Sequence, residues 1–306
     1  MNEYDPLTPQ EVAERLRVSK NTVYELIKQG KLKSYKVGKK IRVCSKALED
    51  FQNFSSVAER ISPSPVEKSS PDQVNGFVIC GQDILLDVLA RYLEEHPSGC
   101  RVFRSHLGSY NGLYALYREE VHATAAHLWD SDTDTYNVPY VRRLLPGIAV
   151  SMIHIAQRTQ GLFIRKGNPK NITSIEDFLR SDIVMVNREK GSGTRVLLDE
   201  YFWHEGKRIE NANGYENEVT SHLEAASAVS RGKADMAMGN EKTAMQVKDI
   251  SFIPVTQEQY HMVILKKNIT QYPFKAIVEI LNDNVFINEI SGLGGYDVHN
   301  MGKIIL

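Results

Sequence analysis

The chain has 306 residues, enough for two or three domains, and its 42% apolar and 25% charged composition excludes disordered and collagen-like classes. A net charge of -1 excludes nothing alone, because a basic and an acidic region can cancel, so charge is read by segment. Three widely spaced cysteines, Cys44, Cys80 and Cys100, argue against a disulfide framework or a zinc site and suit a reducing compartment.

The acidic amino terminus, MNEYDPLTPQEV, lacks an apolar h-region, and no stretch approaches the ~20 apolar residues of a membrane span. A cytoplasmic protein without membrane partners is expected. Thr8-Pro9-Gln10-Glu11 forms a capping-box pattern with proline at the first helical position, which predicts a helix over about Pro9 to Leu16. Ser19 is placed to cap a second helix with an apolar stripe at Val23, Leu26 and Ile27, and Gly30 supplies its stop. Ser34 to Val37 and Ile41 to Val43 alternate around Gly38-Lys39-Lys40 as a hairpin does, and Ser45 can cap a third helix running toward Phe54.

Between residues 15 and 46, eleven lysines and arginines face only Glu25, a local charge of +10. Such an excess supplies the phosphate-neutralising part of DNA affinity. Lys20, Asn21, Thr22, Tyr24 and Lys28 lie on the second helix, where a helix-turn-helix protein touches bases and phosphates, while Lys39, Lys40 and Arg42 mark the hairpin. The string LTPQEVAERLRVSKNTVYELIKQGKLKSYKVGKKIRVCSKALEDF resembles the excisionase-type winged helix-turn-helix family, over about residues 7 to 51. That resemblance implies binding of double-stranded DNA through the second helix and the wing. A basic appendage used for protein contacts is the competing reading.

Residues 55–75 are rich in Ser and Pro and read as a linker after a DNA-binding domain over 1–54. From Gly76 onward, apolar strands alternate with amphipathic helices, which predicts an α/β architecture. Strands are expected at Phe77–Cys80, Cys100–Arg104, His122–Ala126, Ile183–Val186 and Asp235–Met238. Helices are expected over Ile84–Leu93 and Tyr110–Arg118, and from about Thr194 and Ser221. Two longer extended segments, Ala149 to Ile164 and Phe252 to Leu265, suggest a chain that crosses from one lobe to another and returns. Lobe I then comprises about 76–157 and 256–306, and lobe II about 158–255.

That arrangement resembles a type 2 periplasmic-binding-protein-like fold, and SHLGS at 105–109, His127-Leu128, GSGTR at 191–195 and GKAD at 232–235 occur in that family's order. The cytoplasmic relatives of molybdate- and tungstate-binding proteins are the nearest resemblance, over about residues 76 to 290. A small anionic or carboxylate solute is the ligand it implies.

Helix amino termini offer free N–H groups and a positive dipole end. Two such starts, at Gly108-Ser109 and at Ser192-Gly193-Thr194-Arg195, could converge on a ligand in the cleft, giving Ser109, Ser192, Gly193, Thr194 and Arg195 as candidates. Arg195 could instead pair with a structural carboxylate such as Asp235. His127 could line the cleft or be a satisfied core histidine, and Ser221 and His222 open a further helix toward it.

Asp130, Asp132 and Asp134 begin like a calcium loop, but Thr135 and Val141 stand where glycine and glutamate are required, so an acidic surface turn is expected. No nucleophile-elbow GxSxG or HExxH motif is present, and no enzyme activity, metal or cofactor is expected. These features together predict a homodimeric, ligand-responsive transcriptional regulator. An accessory protein or enzyme of molybdenum-cofactor metabolism, or an architectural DNA binder with a non-sensing body, are the rivals.

Overall fold

Thr8 and Glu11 fix where the first helix starts. In the computed structural model, which describes residues 6–16, 18–28, 32–37, 40–48 and 76–306, the Glu11 N–H donates to Thr8 Oγ1 at 3.2 Å. Thr8 N–H donates in return to Glu11 Oε2 at 2.6 Å, completing the capping box. The chain divides into two units, and each is described by itself.

In the first unit, β1 (Pro6–Leu7), α1 (Pro9–Leu16), α2 (Lys20–Lys28), β2 (Tyr35–Val37) and β3 (Lys40–Cys44) follow in order, and residues 45–48 form α3. Ser19 Oγ accepts the Thr22 N–H at 3.2 Å, so α2 carries the expected cap. The strands form one antiparallel sheet in the order β1-β3-β2, with Tyr35 opposite Arg42. Val12, Ala13, Val23, Leu32, Val43 and Leu48 make its core. The strand β1 was not anticipated because two residues carry no alternation. Gly30, Gly38, Lys39, the reach of the third helix toward Phe54 and the 55–75 linker lie outside the described residues.

The second unit begins with β4 (Phe77–Cys80), α4 (Leu85–Glu95), β5 (Val102–Ser105), α5 (Ser109–Tyr117) and β6 (Ala123–Ala126). A small hairpin, β7 (Trp129–Asp130) and β8 (Thr135–Tyr136), precedes α6 (Val138–Leu144) and the long strand β9 (Val150–Arg165). Then come β10 (Asn187–Arg188), α7 (Gly193–His204), β11 (Glu218–Val219), α8 (His222–Ser230), β12 (Met236–Asn240), α9 (Glu241–Ala244), the long strand β13 (Ile250–Leu265), α10 (Phe274–Leu281) and α11 (Asn284–Leu293).

One six-stranded sheet runs β12-β9-β13-β6-β4-β5, and β9 and β13 pair antiparallel along nearly their whole lengths. Their first and second halves serve different cores. In lobe I, Ile79, Ile153, Met262 and Ile264 face α4, α10 and α11, whereas Cys80, Met152, Val263 and Leu265 face α5 and α6. That period of two is what a sheet covered on both faces requires. In lobe II, Leu162 and Ile164 pack with Phe178, Leu198 and Phe202, while Phe163 turns to Ala225, Ala226 and Val229 of α8.

Two expectations are corrected. Ile183–Val186 is not a strand: Asp235 Oδ2 takes the Val184 N–H, Met185 N–H goes to Asn213 O, and only an isolated bridge joins Met185 to Met236. Ladder pairing starts two residues later, at β10 against β11. Asp130 is not a surface residue: it is buried, accepts from Thr133 and pairs with Arg143, which anchors the β7–β8 turn. Among the described residues no cluster of His, Cys, Asp and Glu could hold a metal ion, and no helix is long and apolar enough to cross a membrane.

The buried His261 on β13 sets a pH limit on this fold. Its Nδ1 lies 2.8 Å from the Asn137 amide, which donates to it, and burial, with His154 beside it, pushes the imidazole down to about 3. The unfolded chain therefore binds a proton below about 6.5 that the folded chain refuses, so stability is full above that pH and falls as pH drops toward 3. Denaturant titrations should show a loss of about 2 kcal/mol from this residue between about pH 7 and 5. The His261→Gln variant should show a correspondingly shallower pH dependence; an unchanged slope would contradict the assignment.

Candidate ligand site between the lobes

Where β9 and β13 pass from lobe I to lobe II, each carries a charge amid uncharged polar residues, Gln157, Thr159 and Gln160 about Arg158 and Gln257 and Gln259 about Glu258. Arg158 and Glu258 stand opposite each other in the ladder and form an ion pair. A second carboxylate, Asp83, also pairs with Arg158, and the Tyr260 ring lies 3.9 Å from the guanidinium carbon. Burial works against the Arg158 charge, but Glu258 and Asp83 outweigh it and drive the pKa upward. Burial likewise opposes the Glu258 carboxylate, while Arg158 and His127 hold it below its ordinary range.

Every oxygen of these carboxylates is engaged. Glu258 Oε2 accepts from Gln160 at 3.0 Å and lies 2.6 Å from His127 Nδ1. Asp83 Oδ1 accepts from the Leu85 N–H at 2.8 Å and from the Tyr296 hydroxyl at 2.7 Å. The two carboxylates are thus held from within, while Arg158 Nε is buried without a hydrogen-bond partner.

Above that floor lies a cavity of about 20 Å³, measured as the space open to the centre of a water-sized sphere. One water needs roughly 10–15 Å³ on that measure. The cleft as it stands therefore suits an occupant of a few atoms. Ser109 at the start of α5 and Ser192, Gly193 and Thr194 at the start of α7 line it from opposite lobes, with His127, Arg188 and His222. Ser192 Oγ caps α7 by accepting the Arg195 N–H at 3.2 Å, which leaves Gly193 and Thr194 at a turn whose N–H groups have no intrahelical acceptor. The Thr194 hydroxyl is buried without a hydrogen-bond partner, a cost that persists unless something in the cavity bonds it.

The lobes meet across this cavity. Tyr110 N–H donates to Gly191 O at 3.0 Å, Asn111 Nδ2 to Lys190 O at 3.3 Å, and Gln82 Nε2 to Glu189 Oε1 at 3.1 Å. Arg188 pairs with Glu189 at 2.9 Å and reaches Thr220 O at 3.2 Å; burial draws its pKa down, with Glu189 opposing. Two glycines permit the approach. A Cβ on Gly108 would stand 2.7 Å from Gly191 O, and one on Gly193 would stand 2.5 Å from the His127 ring.

Ser109, His127, Ser192, Gly193 and Thr194 are thus brought together, while two other candidates are not at the cavity. Arg195 turns into lobe II, bonding Asp199, Glu218 and Arg188 O and lying over the Tyr215 ring, rather than meeting Asp235. Ser221 spends its oxygen capping α8 through the Glu224 N–H at 3.1 Å. Gln82, Asp83, Arg158, Arg188 and Tyr260 were not foreseen. An arginine and a glutamate near the middle of two long extended segments were the available signal for the floor.

In the helix-turn-helix unit, Lys20, Asn21 and Thr22 are exposed on the first turn of α2, and Tyr24 is exposed one residue beyond. Thr22 also bonds the Ser19 hydroxyl at 2.8 Å, so it shares in the cap. Lys28 closes α2, Lys40 is exposed at the start of β3, Arg42 is half-buried opposite Tyr35, and Lys39 lies outside the described residues.

Residues 90–282 match the PBP superfamily domain. The chain belongs to the PBP superfamily. Residues 6–55 match a helix-turn-helix domain, so this PBP superfamily member carries one at its amino-terminal end. It is 41% identical to the Bacillus subtilis protein YvgK over 310 residues, spanning 100% of this chain and 99% of that protein. A Clostridium perfringens structure, assigned as the substrate-binding protein of a phosphate ABC transporter and solved with bound phosphate, matches with a TM-score of 0.55 at 14% identity, over 73% of this chain and 99% of that one. A phosphate transport receptor from Vibrio cholerae matches with a TM-score of 0.50 at 14% identity, over 72% and 99%. Both likenesses establish the two-lobed fold.

The Gly108 contact yields a test. A methyl there meets backbone atoms of Gly191 and Ser192, which cannot rotate away, so Gly108→Ala should part the lobes. Hydrogen exchange at the Tyr110 amide should quicken by about tenfold or more. Gly292→Ala, where an added Cβ meets nothing within 4 Å, should leave that amide unchanged.

Proposed function

We propose that this protein is a ligand-responsive, DNA-binding transcriptional regulator that senses a small anion in the interlobe cleft. The observation that carries this reading is the pairing, in one chain, of a helix-turn-helix domain with a donor-lined cavity closed by both lobes. Thr194 Oγ1 is buried without a partner, and two helix starts converge on the same space. Lys20, Asn21, Thr22, Tyr24, Lys28, Lys39, Lys40 and Arg42 are assigned to the DNA contact, and Ser109, His127, Ser192, Gly193 and Thr194 to the ligand. A cytoplasmic homodimer reading two half-sites is the assembly this function needs.

Molybdate and tungstate are the first ligands to try, on the resemblance of the large domain to proteins that bind them. The bound phosphate of the Clostridium perfringens structure supports an oxyanion more broadly. Arg188 does not make the site strongly positive, because Glu189 balances it, so hydrogen bonds rather than net charge would hold the ligand.

The deciding experiment is a thermal-shift screen with molybdate, tungstate, sulfate, phosphate and acetate, followed by DNA binding with and without the hit. A ligand at ~100 times its Kd stabilises the folded state by ~2.7 kcal/mol, a rise of several degrees for a domain of this size. Thr194→Ala should lose most of that shift, while Lys20→Ala and Lys40→Ala should keep it and reduce the salt slope of DNA binding by about one charge each. If no anion raises the melting temperature, or if the hit leaves DNA affinity unchanged, the sensor reading fails.

A further inference from the structure

His222 is the first residue of α8, is nine-tenths buried and forms part of the cavity wall. Its Nδ1, like Thr194 Oγ1, has no hydrogen-bond partner. The charges around it come from several elements. Arg188 on β10, Arg158 on β9 and His127 after β6 are the cations or potential cations. The carboxylates tied to those cations are Glu189 and Glu224 about Arg188, and Glu258 and Asp83 about Arg158. On β12, a Cβ added to Gly239 would stand 3.0 Å from Nδ1.

Each of those carboxylates is already committed. Glu189 serves Arg188 and Gln82, Glu224 accepts from Thr220, and Glu258 and Asp83 share Arg158. None of them hydrogen-bonds His222 Nδ1, so an imidazolium there would lie beside two guanidiniums with no acceptor for that N–H. Burial first, then Arg188 and Arg158, hold its pKa well below the ordinary value. An anion entering the cavity reverses that balance, because it brings an unshared negative charge to the same wall and an acceptor for a ring N–H.

We propose that the cleft takes up its anion together with one proton, held on His222, so that occupancy reads the anion and acidity jointly. This rests on the reading of the cleft as an anion site. His222 is thereby a residue that selects for charge: its neutral form leaves the wall without one donor, and its protonated form waits on the ligand. Linkage makes the corollary quantitative, since one proton taken up per anion raises affinity toward tenfold for each unit that pH falls.

Calorimetry on the full chain with sodium molybdate, over about pH 6 to 8 where molybdate itself carries no proton, tests this directly. In two buffers of unlike ionisation enthalpy, the heats should differ by close to one proton per molybdate bound, and affinity should rise as pH falls. His222→Gln should abolish the buffer dependence and flatten the pH profile, whereas His204→Gln, at an exposed histidine that ends α7, should retain both. In the wild-type chain, the His222 ring carbon resonance should move to its imidazolium position on adding molybdate, a readout independent of whether the variant folds. Molybdate binding with buffer-independent heat, or proton uptake that survives His222→Gln, overturns the proposal while leaving the anion site standing. Failure of molybdate, tungstate, sulfate, phosphate and acetate alike to bind overturns both.

Discussion

Arg158 and Glu258 face each other at the one place where both long strands leave lobe I for lobe II, and much of the molecule is arranged around that pair. Taking two charges out of water costs several kcal/mol per ion, and their attraction offsets this only when the remaining donors and acceptors are also satisfied. Here Asp83, Gln160, His127 and the face of Tyr260 supply most of those partners, with Arg158 Nε left over. The pair is also a register device. Sliding β13 by one residue against β9 would turn every core side chain to the wrong face and would separate guanidinium from carboxylate. Register shifts on either side, at Pro254/Thr256 and at Tyr260/His261, bracket the charged crossing and let each half of the ladder follow its own lobe.

From this crossing a continuous set of contacts leads upward to the cavity. Glu258 orients His127, the His127 ring fills the space that a side chain on Gly193 would need, and Gly193 opens α7 beside Thr194. On the other side, the His127 N–H donates to Ser109 Oγ at 3.3 Å, which ties the floor to the start of α5. The two helix starts that face the cavity are therefore seated on one buried polar network. Its members come from β9, β13, the loop before α4 and the residue that follows β6, so strand pairing fixes its charged core.

Much of this was legible in the sequence, for identifiable reasons. Short helices with capping residues at Thr8 and Ser19, and apolar strands bounded by glycine, write local rules into local residues. The loops at Gly108-Ser109 and Ser192-Thr194 were legible as helix starts, because glycine and hydroxyl residues favour that position, and the fold brings both to one cavity. Arg195 was misleading for a physical reason: in the first turn of a helix its long side chain can swing either toward the ligand or back into the lobe, and only Asp199, Glu218 and Tyr215, 4 to 23 residues away, decide which. The polar floor was illegible because Asp83, Arg158 and Glu258 are far apart in the chain and meet only through strand pairing. Asp130 was misread for a similar reason, its burial being set by Arg143 and a two-residue hairpin rather than by its acidic neighbours.

A cavity whose walls come from both lobes has a direct energetic consequence. A ligand that bonds Ser109 from one side and Thr194 from the other gains both sets of contacts only when the lobes are together, so its binding free energy differs between the closed and parted forms by roughly one set. That difference is the whole of what the ligand can contribute to a response: equal affinity for both forms would shift nothing however tight the binding. The bonds that join the lobes directly, through Tyr110, Asn111 and Gln82, act in the same direction and set how far the closed form is favoured before any ligand arrives. Weakening them would therefore lower ligand affinity and enlarge the ligand-driven change together, because more of the binding free energy would be spent on bringing the lobes into contact. A two-lobed cavity of this build is tuned at its lobe-to-lobe bonds as much as at its ligand contacts.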